Sequence, residues 1–168
     1  HDGTIGVLLT GQLSDNSPTI TDPNSDGIYW DSAIQKDGIT IIAEDAQLYR
    51  AYMGALGRLP DEEGFNWWAN EIAQSRHSLS SMAAGFIYSV EFQGLADTDS
   101  NGTVNSEEFI THMYQGVFDR EPDEEGFSFW VGKLDREEST QSQVLVDMTQ
   151  SNEYIENTIQ TVWDFQFI

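Results

Sequence analysis

The segment 97–108 places oxygen donors in the pattern of an EF-hand calcium loop. Gly102 falls at position 6, where the chain must turn sharply, and Glu108 falls at position 12. A bidentate Glu108 favours Ca²⁺ over Mg²⁺, because calcium accepts a larger and more flexible oxygen shell. Thr103 would offer its backbone carbonyl, and Asn105 would act directly or through a water. The predicted calcium ligands are Asp97, Asp99, Asn101, Thr103, Asn105 and Glu108. The alternative interpretation is an acidic glycine turn that links two helices without metal.

A second segment, 22–31, repeats the first half of this pattern. Its candidate ligands are Asp22, Asn24, Asp26, Ile28 and Asp31. Position 12 is Ala33, so Asp31 at position 10 would have to close the shell, and no predicted helix comes before it. A β-turn rich in Asn, Asp and Gly accounts for the same residues. A second calcium site and a metal-free turn are therefore both compatible with this segment.

The overall charge favours a cation as partner and disfavours nucleic acid. The 168 residues include 29 acidic and 7 basic side chains, which gives a formal net charge of −22. Nucleic acids and anionic membranes bind through clustered Lys and Arg, so neither is an expected partner. A bound divalent cation would offset part of this charge, although solubility or adaptation to salt would produce the same composition.

The sequence offers little that could perform catalysis. It contains no cysteine, which excludes disulfides, thiolate metal sites and cysteine nucleophiles. The three histidines, His1, His77 and His112, lie far apart in sequence, and neither a serine-nucleophile motif nor a phosphate-binding loop is present. No segment approaches the roughly 20 apolar residues of a membrane span. We therefore expect a protein that is not an enzyme and does not insert into membranes.

An internal repeat supplies the elements that would position the calcium loop. The two copies align without a gap at an offset of 62 residues. In the first copy the matching residues are Tyr52, Gly54, Arg58, Pro60, Asp61, Glu62, Glu63, Gly64, Phe65, Trp68, Ser89 and Glu91. Matches this extensive indicate a duplication. Subtracting the offset from the loop gives Gln35 to Ala46, which has no such ligand pattern, so the predicted calcium joint is single.

Apolar spacing predicts three helices in each copy. They are expected at 48–56, from Pro60 onward and at about 79–93, and again at 108–118, from Pro122 onward and at 141–150. Each Pro is predicted at the first helical position, and the following Asp-Glu-Glu places negative charge at the positive end of the helix dipole. The same triplets could be catalytic carboxylates or a second metal site, but helix capping explains them sufficiently.

Apolar residues on both sides of the loop form predicted helical stripes. Before the loop they are Met82, Phe86, Val90 and Phe92, and after it they are Phe109, Met113 and Val117. Phe65, Trp68 and Ile72 form a further stripe that predicts core packing. Trp67 lies off that stripe and is expected to be partly exposed.

The first 42 residues have a different pattern from the rest. Short β-branched runs occur at 4–9, 28–34 and 39–42, and the turn signal Lys36-Asp37-Gly38 predicts a hairpin between the last two. We therefore expect a mainly α fold of the α+β type, a tandem helical repeat joined by an EF-hand-like loop with a small N-terminal β element. The expected division is a β-rich segment at 1–42 and a helical domain at 43–168, with repeats at about 46–94 and 108–156.

The repeated motif resembles a family of helical domains of unknown function related to phycobilisome linker domains. The resemblance covers about 46–155 and is carried by 48–52, 57–61, 64–65, 67–68 and 89–92, together with 118–123, 126–127, 129–130 and 151–154. That family occurs in bacterial RTX-type exoproteins, adhesins and S-layer proteins, and no catalytic residues can be carried over from it.

The resemblance implies a secreted, extracellular location on the surface of a bacterium and contacts with other protein or cell-surface components. The predicted function is a calcium-binding structural or interaction module. A glycan- or peptide-binding adhesin domain, using an exposed aromatic such as Trp30 or Trp67, is the first alternative. A calcium-activated enzyme domain is the second.

Overall fold

The computed structural model describes residues 18–21, 33–36 and 39–165. These residues form eight helices and three short strands, so the fold is mainly α with a small β element, as predicted. The helices are α1 Ala43–Leu56, α2 Glu62–Ala73, α3 Leu79–Ile87, α4 Val90–Ala96, α5 Ser106–Phe118, α6 Glu124–Asp135, α7 Gln141–Thr149 and α8 Asn152–Phe165. The strands are β1 Thr19–Thr21, β2 Ala33–Lys36 and β3 Ile39–Ile41.

Helices α2 and α6 begin two residues later than predicted. Asp61 is the N-cap of α2, and its side chain accepts a hydrogen bond of 2.8 Å from the Gly64 N–H. Asp123 caps α6 through Gly126 in the same way. Since the aspartate satisfies a free N–H of the first turn, each helix starts after it, and the prediction that Pro60 occupies the first helical position was wrong. The two following glutamates lie in the first turn, which supports the capping interpretation.

The third predicted helix of the first copy is two helices, whereas in the second copy α7 matches the helix predicted at 141–150 and α8 was not predicted. Ser89 stops α3 and caps α4, since its hydroxyl donates to the Phe86 carbonyl at 2.6 Å and accepts from the Phe92 N–H at 3.1 Å. The equivalent Ser151 accepts from the Tyr154 N–H at 3.3 Å, next to the start of α8. Helix α1 also begins earlier than predicted, at Ala43. Each copy therefore contains four helices, and α1 to α4 correspond to α5 to α8.

The predicted core stripes are mostly buried. Met82, Phe86 and Phe92 lie in the core before the loop, and Phe109, Met113 and Val117 lie in it after the loop. Val90 was wrongly predicted as part of this stripe and is 90% exposed. The break at Ser89 changes the helical phase, so Val90 starts α4 on the solvent side.

The antiparallel pairing of β2 with β3 confirms the predicted hairpin. Ile34 pairs with Ile41 in the antiparallel register, and Ile20 of β1 pairs with Ile34 on the other side, giving the strand order β1-β2-β3. Strand β1 was not predicted, and the run 4–9 lies outside the described residues. The three isoleucines are buried against α1 and α8, in a cluster with Ala46, Tyr49, Ile155, Ile159, Val162 and Trp163.

Equivalent helices of the two copies pack on each other. Helix α1 packs against α5, and α3 packs against α7. The backbones of α1 and α5 approach each other closely at Gly54 and Gly116, which occupy equivalent positions of the repeat. An added methyl group on Gly116 would overlap the Gly54 carbonyl oxygen, and one on Gly54 would lie 2.6 Å from Thr149 Cγ2. The glycine that recurs in the repeat therefore permits close contact between the two copies.

A buried polar contact joins α1 to the end of α7. Arg50 is almost completely buried, and its Nε donates to Oε1 of Gln150 at 2.8 Å. The Gln150 amide donates to the backbone oxygen of Gln47 at 3.3 Å. Because burial disfavours the charged guanidinium, it lowers the pKa of Arg50 to about 9. The equivalent residue of α5 is His112, whose Nε2 lies 2.8 Å from the Ala55 carbonyl oxygen, so the copies differ in this contact.

A tyrosine, a tryptophan and a glycine of the repeat form one local unit in each copy. In the second copy the Trp130 indole hydrogen-bonds the Tyr114 hydroxyl, which lies directly against Gly126. In the first copy Trp68 hydrogen-bonds Tyr52, and a methyl group on Gly64 would lie 2.9 Å from the Tyr52 hydroxyl. The glycine therefore leaves room for the hydroxyl that holds the tryptophan.

Replacing Gly126 with Ala is expected to destabilise the protein by about 1–3 kcal/mol, because the new methyl group overlaps the Tyr114 hydroxyl. Urea unfolding measures this change. Combining Gly126→Ala with Tyr114→Phe removes the overlapping oxygen and should recover part of the loss. If the double variant is as unstable as the sum of the single variants, the contact is not the cause.

Candidate metal centre

The loop 97–108 joins the last helix of the first copy to the first helix of the second. Asp97 is the C-cap of α4, and Glu108 lies in the first turn of α5. Two loop residues have left-handed backbone angles, Ser100 with φ of 58° and Gly102 with φ of 88°. Glycine adopts such angles without the steric cost that a side chain brings, so the structure places the predicted sharp turn at Gly102.

Backbone N–H groups of this turn point at the first carboxylates. Asp97 accepts hydrogen bonds from the Asn101 N–H at 3.1 Å and from the Gly102 N–H at 2.8 Å. Asp99 accepts from the same Asn101 N–H at 3.0 Å. The loop is therefore wrapped around the side-chain oxygens of its own positions 1 and 3.

Glu108 ties the two ends of the loop together. Its Oε1 accepts from the Thr98 N–H at 2.9 Å, the Thr98 hydroxyl at 2.8 Å and the Asp99 N–H at 3.2 Å. Its Oε2 accepts from the Asn105 N–H at 3.1 Å. The hydrogen bond from Asn105 and then that from the Thr98 hydroxyl lower the pKa of the Glu108 carboxyl below its usual value. Only 9% of Glu108 is exposed, so its ionised carboxylate lies on the side of the loop that is shielded from solvent.

The three predicted carboxylate ligands come together. One oxygen each of Asp97, Asp99 and Glu108 lies within 4.8 Å of the others. Calcium–oxygen distances are about 2.3–2.6 Å, so two ligands on opposite sides of one ion are separated by about 4.6–5.2 Å. The cluster has the size and the all-oxygen chemistry that suit a hard divalent cation such as Ca²⁺.

The other predicted ligands are engaged within the loop. Asn101 Oδ1 accepts from the Thr103 N–H at 2.9 Å and from its hydroxyl at 2.6 Å. Asn105 is the N-cap of α5, and its Oδ1 accepts from the Glu108 N–H at 3.0 Å. Because capping occupies the Asn105 oxygen, this position is better placed to reach an ion through a water than directly.

Four arginines form salt bridges with glutamates outside the loop. Arg58 pairs with Glu91, Arg120 with Glu153, Arg76 with Glu71 and Arg136 with Glu138. Within the part of the chain that the structure describes, no salt bridge reaches Asp97, Asp99 or Glu108. Three carboxylates at close range repel one another, and a divalent cation between them would remove that repulsion.

The second candidate calcium site is not described by the structure, and the described histidines have other contacts. The segment 22–31 and Trp30 lie outside the described residues. His112 contacts Phe92 edge-on, and His77 contacts the Trp68 ring edge-on and lies 3.9 Å from Glu71. Trp67 is 50% exposed, which confirms the expectation for that residue.

Two contacts that support the loop were missed by sequence reasoning. The Gln141 side chain at the start of α7 donates to the Val104 carbonyl at 3.1 Å, and the Ser106 hydroxyl donates to Asp135 at the end of α6 at 2.7 Å. Both partners lie about thirty residues or more from the loop. Local spacing carries no signal for such pairs.

Comparison with known proteins assigns the repeat to a family. A family model described as a domain of unknown function, DUF4214, matches twice, over residues 44–96 and 97–158. Neither the curated proteins nor the solved structures gave a significant match. Among the described residues, every helix is too short or too polar to cross a bilayer. Because the two matches cover more than half of the chain, this protein belongs to the DUF4214 family and contains two tandem copies of its domain.

Proposed function

We propose that this protein is a non-enzymatic calcium-binding module, in which one ion in the loop 97–108 stabilises the joint between the two family domains. The observation that carries this proposal is the cluster of Asp97, Asp99 and Glu108, whose oxygens lie within 4.8 Å of one another. These residues have the spacing of an EF-hand loop in the sequence, and their carboxylate oxygens lie close enough together to share one ion.

The place of the loop determines what the ion would do. Helix α4 packs on α1 of its own copy and on α5 of the next. Asp97 belongs to the end of α4 and Glu108 to the start of α5, so an ion held by both would fix the two helices relative to each other. Binding would therefore stabilise the arrangement of the two domains.

Calcium concentration would make this stabilisation depend on location. If the site binds with a Kd of about 10 μM, external calcium of about 1 mM exceeds it about a hundredfold and adds about 2.7 kcal/mol to stability. At the submicromolar calcium inside a cell this contribution is nearly absent. This difference suits a secreted module of a bacterial surface protein, of the RTX adhesin or S-layer type, that becomes rigid outside the cell and contacts other surface components.

The half-exposed Trp67 favours an alternative, a surface that binds a glycan or a peptide. The equivalent residue of the second copy is Phe129, and Lys133 lies 4.7 Å from its ring centre. The first copy has Glu71 at that position, and the ring of Trp67 lies 5.9 Å from the His77 ring instead. Binding to a glycan or peptide array that is lost in Trp67→Ala would support this second function.

The calcium proposal is tested by thermal unfolding of the wild-type protein. We expect 1 mM calcium to raise the Tm by about 5–10 °C over the value in chelator, since about 2.7 kcal/mol corresponds to such a shift in a chain of this size. Magnesium at the same concentration should have a much smaller effect, because it prefers a stricter octahedral shell. Equal Tm values in calcium and in chelator would contradict the proposal.

A further inference from the structure

Among the described residues, no second EF-hand loop pairs with the loop 97–108. In paired EF-hands the residue at position 8 forms a short β contact with the other loop, and here that residue is Val104. The structure instead presents the Val104 carbonyl to the Gln141 amide at 3.1 Å, while its side chain packs against the main core. The equivalent positions of the first copy, 35–46, lack the ligand pattern of the loop.

We propose that Gln141 is a positioning residue of the calcium loop and makes calcium affinity depend on α7. This inference rests on the proposed calcium function. Val104 lies between Thr103, whose carbonyl is the predicted ligand at position 7, and Asn105 at position 9. Holding the Val104 carbonyl therefore fixes the backbone on both sides of it, and with it the direction of the Thr103 carbonyl.

A second contact holds the exit of the loop to the same copy. The Ser106 hydroxyl donates to Asp135 Oδ1 at 2.7 Å, next to the contact made by Gln141. Val104, Ser106, Asp135 and Gln141 together border an open depression of about 500 Å³. The positions following the turn are thus held by the second copy, whereas Asp97 is continuous with the first copy. Hydrogen bonds of this kind, made to the residues around the metal ligands, keep the ligands in place. Removing them typically changes metal affinity about 10- to 100-fold.

The test compares two glutamines of the same helix. Gln141→Met removes the hydrogen-bond donor but keeps the length of the side chain. Gln143→Met is the matched control, since Gln143 is exposed and its amide bonds Asp147 instead of the loop. We expect competition with a chromophoric chelator to show a calcium Kd about tenfold higher for Gln141→Met and unchanged for Gln143→Met.

Stability in chelator separates positioning from a general structural role. Far-UV circular dichroism and Tm in chelator should be close to wild type for both variants, because Gln141 is only partly buried at a helix start. If Gln141→Met binds calcium with the wild-type Kd, the inference is wrong. This holds also if the variant has a lower Tm in chelator, because Gln141 would then be structural only. Absence of calcium binding by the wild type would instead contradict the proposed function itself, so the two failures are distinguishable. Ser106→Ala, which loses the bond to Asp135, provides a second variant with an expected rise in Kd.

Discussion

Replacing Glu108 with Gln is expected to remove most of the calcium-dependent rise in Tm and to destabilise the calcium-free protein by about 1–3 kcal/mol, because the amide nitrogen cannot accept hydrogen bonds as the second carboxylate oxygen does. Glutamine loses one negative charge and can offer only one oxygen, so the bidentate ligand disappears. If affinity falls about a hundredfold, the stabilisation at 1 mM calcium falls from about 2.7 to about 0.4 kcal/mol. Thermal unfolding in calcium and in chelator measures both quantities on the same sample.

The calcium-free variant should keep the N-terminal cap of α5, because position 108 also has a capping role. Glu108 is the N3 residue of a capping box with Asn105, and glutamine also serves at that position. The matched control is Glu107→Gln, which removes the same charge from an exposed neighbour. It should retain nearly all of the calcium effect. Equal losses in the two variants would mean that overall charge, and not coordination by Glu108, determines the response.

Replacing Gly116 with Ala should destabilise the protein strongly, with or without calcium. The new methyl group overlaps the backbone carbonyl of Gly54, which cannot rotate away as a side chain can. Helices α1 and α5 would have to separate, and overpacking of this kind costs about 1–3 kcal/mol and occasionally more. For a chain of this size the loss corresponds to a fall in Tm of about 3–10 °C.

Gly94→Ala provides the control for this prediction. Gly94 also lies within a helix, α4, but an added methyl group there meets no atom within 4 Å. Alanine is a better helix former than glycine, so this variant should be neutral or up to about 1 kcal/mol more stable. Denaturant unfolding of the two variants side by side isolates the cost of contact between α1 and α5. A wild-type stability for Gly116→Ala would show that this crossing is looser than the structure describes.

Local chemistry made much of the fold predictable. The repeat was recognised by comparing two segments of the sequence. The change of apolar spacing near residue 43 and the turn signal after Lys36 were recognised from neighbouring residues. The errors occurred where a side chain changed a helix boundary. Asp61 moved the start of α2 past Pro60, and Ser89 divided one predicted helix into two. That division exposed Val90, which simple helical spacing had assigned to the core.

The candidate site shows the same limit. Asp97, Asp99 and Glu108 could be found because an EF-hand loop is one continuous segment, in which spacing alone predicts proximity. Gln141 could not be found, because its contact with Val104 depends on how α7 packs beside the loop. The match between Gly54 and Gly116 was visible in the sequence as a repeat. That the two residues touch each other followed only from the packing of α1 on α5.

The contact of Gly54 with Gly116 and the packing of α3 on α7 place equivalent positions of the two copies against each other. Contacts between equal positions arise when two identical subunits are related by a rotation of 180°, because each then presents the same patch to the other. In this chain the correspondence is incomplete, because among the described helices α1 also packs against α7, whereas α5 makes no comparable contact with α3. The linker between the copies makes their contact intramolecular, so it does not depend on protein concentration.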